Sequence, residues 1–197
     1  VLDPDGSDAA RLDNALEVFV MNGMPLPLAV MILIPEPWDS NKYMPKAKRD
    51  FYQYYATMME PWDGPASIIF TDGDQVGAVL DRNGLRPSRY YITDDDQLIL
   101  SSEIGVLDID PTKIVVKERL HPGKMLLVDT IKGKVIADDV VKEKYAEKEP
   151  YGEWLDSNLL ELKDLKIPNE PVPTYGAEER EKLMKAFGYT YEDIRTA

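Results

Sequence analysis

The feature that most restricts this chain is a change of hydrophobic period at Pro61-Trp62-Asp63-Gly64-Pro65. Upstream of it apolar residues recur every three or four positions; downstream they form short β-branched blocks separated by Gly, Asn and Asp. Helices followed by antiparallel strands define an α+β fold.

The upstream third predicts three helices. Ser7 caps the first, whose apolar set is Leu12, Leu16, Val18, Phe19 and Val20 and which ends near Gly23. A short apolar helix is predicted over residues 26–34, and a third starts at Pro45, carries Phe51, Tyr54, Tyr55, Met58 and Met59 on one face, and stops before Pro61. Downstream, strands are expected over residues 66–71, 76–80, 89–93 and 98–102, joined at Asp72-Gly73-Asp74, Asn83-Gly84 and Asp94-Asp95-Asp96. These four read as one antiparallel meander. A second β region follows over residues 113–120, 124–129 and 135–138, with turns at His121-Pro122-Gly123 and Lys132-Gly133-Lys134. From Val140 charge dominates, with a helix expected around residues 152–165. Prolines 168, 171 and 173 make residues 166–175 a linker between a first domain, residues 1–165, and the start of a second, residues 176–197. In that second part, residues 177–187 have helical spacing, and Thr190 caps a further helix.

Composition removes several classes of function. Lys and Arg total 23 against 36 Asp and Glu, and a net charge of −13 repels both phosphate backbones and anionic lipid. Neither nucleic acid nor membrane is expected as a partner. The most apolar stretch, residues 26–34, is far short of the roughly 20 residues of a membrane span. With no Cys and only His121, the chain offers no thiolate nucleophile, disulfide or cysteine-held cluster. The N-terminus has neither a secretory pattern nor an initiating Met, and reads as excised or processed.

Few residues are left as site candidates. Asp94 to Asp96 lack the alternating ligands of a calcium loop and read as a solvated turn, and His121 reads as a turn residue. Around Asn83-Gly84 stand Arg82, Arg86 and Arg89, able to hold carboxylates bidentately or to form a salt-bridged hairpin. Asp8, beside Ser7 at a helix start, complements the helix dipole or binds a cation.

The segment Met59-Glu60-Pro61-Trp62-Asp63-Gly64-Pro65-Ala66, then Asp81-Arg82-Asn83-Gly84-Leu85-Arg86-Pro87, Arg89-Tyr90-Tyr91, Ser101-Ser102-Glu103-Ile104-Gly105 and Leu120-His121-Pro122-Gly123-Lys124 resembles, in order and spacing, the glutamate synthase large-subunit family. It is similar to the later part of that family's class II glutamine amidotransferase domain. Lys185-Ala186-Phe187-Gly188-Tyr189-Thr190-Tyr191-Glu192-Asp193 resembles the opening of the central domain.

The resemblance implies an Ntn-hydrolase-type four-layer αββα sandwich, incomplete at its N-terminal side, with a C-terminal helical extension. It implies that an N-terminal Cys attacks the amide of L-glutamine, using its own α-amine as base and an Asn-Gly pair as oxyanion hole, all upstream of Val1. No catalytic residue is therefore expected in this chain, which should be inactive alone. One substrate-binding role carries over: the family's Ser-Asp-Ser pattern stands here as Ser7-Asp8-Ala9, so Asp8 is implied to take the α-ammonium of glutamine, with Ala9 departing from the pattern. FMN and an iron–sulfur cluster are implied for the complete subunit, with no ligands here. The rest of the large subunit, a small subunit or ferredoxin are the implied partners, in the cytoplasm. The competing reading is a non-catalytic binding or interaction module with an amidotransferase-like sandwich.

Overall fold

A computed structural model describes residues 2–165 and 173–196. Contacts divide the chain into Val1–Leu159 and Leu160–Ala197. Most of the expected linker, residues 166–172, lies outside the described residues.

In the first unit the helices α1 (Asp8–Met21), α2 (Leu26–Leu33) and α3 (Lys46–Ala56) appear where the sequence places them. The Ser7 hydroxyl accepts the Ala10 N–H at 3.3 Å, satisfying one orphan donor of α1. All eight residues of α2 are buried, as an all-apolar helix demands. Pro45 sits at the N-cap of α3 rather than in its first turn. The Pro61–Pro65 stretch is a corner: the Trp62 N–H donates to the Leu33 carbonyl at 2.8 Å, tying the end of α2 to the first strand.

The strands are β1 (Ser67–Thr71), β2 (Gln75–Leu80), β3 (Arg89–Thr93), β4 (Leu98–Ser101), β5 (Ile114–Arg119), β6 (Met125–Asp129) and β7 (Lys134–Ile136). The expected meander does not form. One sheet has the order β1-β2-β6-β7 and the other β4-β3-β5. Asn83-Gly84 therefore closes no hairpin between β2 and β3, and His121-Pro122-Gly123 closes none between β5 and β6. Both are crossings from one sheet to the other.

The physical reason lies in burial on both faces of the first sheet. Phe70, Val79, Met125 and Leu127 pack with the helices, whereas Ala78, Leu80 and Leu126 on the opposite face pack with Leu120, Tyr90, Leu98 and Leu100 of the second sheet. A flat meander would leave one of these faces in water, at about 25 cal/mol per Å² of apolar surface exposed. The unit is thus helices, sheet, sheet. Gly77 is required in β2 because an added Cβ would stand 2.2 Å from the Phe70 ring.

The two crossings touch. Gly84 has φ 63°, and a Cβ there would meet Pro122 Cγ at 2.2 Å. Gly84→Ala is expected to lower unfolding stability by about 1–3 kcal/mol through backbone strain and overpacking, read as a shift in urea midpoint.

Two further helices complete this unit. α5 (Tyr151–Asn158) is shorter than expected and starts one residue earlier. α4 (Asp138–Ala146) was not anticipated: it buries Val141, Lys142, Tyr145 and Ala146, so its inward face contains a lysine and gives no clean apolar period. In the second unit, α6 (Ala177–Ala186) and α7 (Tyr191–Thr196) follow the sequence reading. Thr190 Oγ1 accepts the Asp193 N–H at 3.1 Å while the Asp193 carboxylate accepts the Thr190 N–H at 2.6 Å, a reciprocal cap.

Candidate functional site

Asp8 is the first residue of α1, and its side chain is exposed. Among the described residues no cation lies within ion-pair distance of it. Its position follows from Ser7, whose cap fixes where the helix starts and so which carboxylate occupies the first turn. The next residue, Ala9, lines a cleft of about 430 Å³ together with Leu12, Leu16, Val30 and the whole of β1. Within its sheet β1 pairs only with β2, so its outer edge carries no strand among the described residues. Ile69, on β1, is 63% exposed. The cleft thus runs along α1 from Ala9 to Leu16 and also takes in Asp13, while Asp8 stands one residue before its edge.

A second candidate is the turn after β2. Asp81 is buried, and its carboxylate accepts the backbone N–H groups of Ala66 at 3.1 Å, Asn83 at 3.1 Å and Leu85 at 3.2 Å. These bonds set the loop and present its arginines outward. Arg82 reaches Asp63 at 3.4 Å. Arg86 and Arg89 do not join it, so the turn is not a salt-bridged hairpin; they line another cleft with Arg119.

A third cluster is ionic and centred on the buried Lys142. The Lys142 ammonium stands 2.9 Å from Asp138 Oδ1 and 3.3 Å from Glu36 Oε2, and donates to the Gly123 carbonyl. Lys48 meets Glu36 Oε1 at 2.8 Å, and Lys124 meets Asp138 Oδ2 at 2.9 Å. Burial alone would raise the Asp138 carboxyl, but the Lys142 charge and hydrogen bonds from Lys142, Lys124 and the Met125 N–H hold it below its ordinary range. Burial, then the Glu36 and Asp138 charges, push the Tyr52 phenol well above its ordinary range. Every charge here has an opposite partner, and the cluster joins α3, α4 and the turn before β6. It is a clamp rather than a reaction centre.

Of the remaining candidates, Asp94 to Asp96 form the β3–β4 turn, where hydrogen bonding from the Thr93 hydroxyl lowers the Asp95 carboxyl. His121 Nε2 lies 3.7 Å from Glu118 Oε1 on the surface. Among the described residues no group of three or more His, Cys, Asp or Glu side chains is placed to hold a metal ion.

Residues 1–154 match the family model of class II glutamine amidotransferases. The chain belongs to that family. This amidotransferase chain is 50% identical to the glutamate synthase [NADPH] large chain of Bacillus subtilis over 99% of its own length. It is 42% identical to the glutamate synthase [NADH] of Schizosaccharomyces pombe over 98%, and 42% identical to the chloroplastic ferredoxin-dependent glutamate synthase 2 of Arabidopsis thaliana over 99%. Similarity to glutamate synthases thus continues past the amidotransferase match through α6 and α7. The chain spans 13%, 10% and 12% of the lengths of these relatives. No helix of its described residues is long and apolar enough to cross a membrane.

Two features of this amidotransferase unit escaped the sequence reading. The Lys142 clamp draws on residues more than a hundred positions apart, so no spacing announces it. Arg119 was not grouped with Arg86 and Arg89, because only the β3–β5 register brings it to them.

Proposed function

We propose that this chain is the later part of the glutamine-hydrolysing domain of a glutamate synthase large chain, with residues 176–197 opening the next domain, and that Asp8 binds the α-ammonium of L-glutamine. The observation that carries the assignment is the exposed Asp8 carboxylate, which has no cation within ion-pair distance among the described residues and stands one residue before Ala9 on the cleft beside β1. An ammonium leaving water for a pocket needs a fixed anion, and a carboxylate in a first helical turn supplies it.

The nucleophile, its base and the oxyanion donors belong to segments outside this chain. Those segments also complete the four-layer αββα sandwich, adding the helical layer beyond the second sheet. Ammonia released from glutamine passes to a domain where 2-oxoglutarate becomes glutamate, with FMN and an iron–sulfur cluster held there and electrons arriving from a small subunit or ferredoxin. The setting is the cytoplasm.

The test uses the complete glutamate synthase that carries this segment. Asp8→Ala is expected to lower glutamine-dependent kcat/KM by about tenfold to a thousandfold, since truncating one partner of a buried charge pair costs about 2–5 kcal/mol. Ammonia-dependent glutamate formation, which bypasses the pocket, should persist. Equal loss of both activities, or no change in either, would leave Asp8 as a helix-terminus residue only.

A further inference from the structure

We propose that the cleft between the two inter-sheet crossings is a binding site for a small organic dicarboxylate, held by Arg86, Arg89 and Arg119. The cleft has a volume of about 300 Å³ and is floored by Leu80, Leu120 and Pro122. That is the low end of small-ligand pockets.

The cations are placed against electrostatic preference. Arg89 stands directly opposite Arg119 across the β3–β5 ladder, where like charges destabilise the pairing. Arg86 stands on the loop three positions before Arg89. Among the described residues no carboxylate lies within ion-pair distance of any of the three, in a chain with 36 acidic residues. Two acids close by in the fold do not serve them: Asp63 meets Arg82 at 3.4 Å, and Glu118, opposite Tyr90 on the other face of the ladder, lies 3.7 Å from His121. An anion from outside is what would relieve the repulsion.

Its chemistry follows from the walls. Guanidinium groups match carboxylates bidentately, and the ladder pair and Arg86 provide separate sites for two of them. Leucine and proline below suit a short carbon chain, which inorganic phosphate lacks. This site is distinct from the Asp8 cleft and does not rest on the role proposed there.

The experiment titrates the 197-residue chain with glutarate and, separately, with inorganic phosphate, using calorimetry and thermal unfolding in chloride buffer. Glutarate is expected to bind and to raise the melting temperature, more tightly than phosphate. Arg86→Gln, on an exposed loop, should weaken glutarate by about tenfold or more, and Arg89→Gln/Arg119→Gln should abolish the response. Without ligand, Arg119→Gln should melt higher than the parent, because a like-charge pair is gone. Absence of glutarate binding, unchanged affinity in Arg86→Gln, or phosphate binding as tightly as glutarate would each overturn the proposal.

Discussion

Lys142→Ala is expected to lower the free energy of unfolding by about 3–5 kcal/mol, the effect of stranding buried charges when their partner is removed. The Lys142 side chain is 4% exposed, and the Glu36 and Asp138 carboxylates it joins are each 11% exposed. Removing the ammonium leaves Glu36 with Lys48 alone and Asp138 with Lys124 alone among their ion-pair partners, and frees a half-buried carbonyl at Gly123. Chemical denaturation at neutral pH measures the loss. The pH dependence provides a second check with a definite sign. In the parent chain Asp138 titrates below its ordinary value of 3.8, so its stabilisation is present above that pH and is lost as pH falls through the lower folded value. In Lys142→Ala only the Lys124 and Met125 N–H hydrogen bonds still oppose the effect of burial, so the folded Asp138 carboxyl takes up a proton more readily than in the parent. The stability gap between parent and variant should therefore narrow below about pH 4. A constant gap would show that the loss comes from packing and not from charge.

Phe51→Ala is the other substitution with a large expected effect, also about 3–5 kcal/mol. Phe51 is fully buried, and its ring centroid lies 5.1 Å from Tyr52, 4.9 Å from Tyr55 and 5.4 Å from Tyr151. It joins α3 to α5 through edge-on and tilted ring contacts, so truncation opens a cavity and removes the aromatic surface on which α5 rests. Denaturant titration should show the loss, with reduced near-ultraviolet dichroism from the surrounding tyrosines. Phe51→Leu, which refills part of the volume, should retain most of the stability.

Local signals in the sequence were reliable wherever a few adjacent residues fixed the outcome. Ser7 set the start of α1, Pro61 to Pro65 marked the corner from helix to strand, and the Thr190 cap opened α7, because each depends on hydrogen bonds or torsions within one turn of chain. The class II amidotransferase membership was legible from short motifs in order. The partnering of strands was not legible. Asn83-Gly84 has hairpin chemistry, yet Asp81 turns the chain into a second sheet because Leu80 and Ala78 must be covered on the face away from the helices.

What the sequence determined by itself was therefore the order and kind of the elements other than α4, the lack of any cysteine in the chain, and the placement of one carboxylate at a helix start. Tertiary structure decided which strands share a sheet, that Lys142 is buried among carboxylates, and that Arg119 faces Arg89. The reason is range. Caps and turns are closed by neighbours along the chain, whereas sheet partners and charge clusters are chosen by burying two faces of one sheet at once, a condition that only the whole packed unit satisfies.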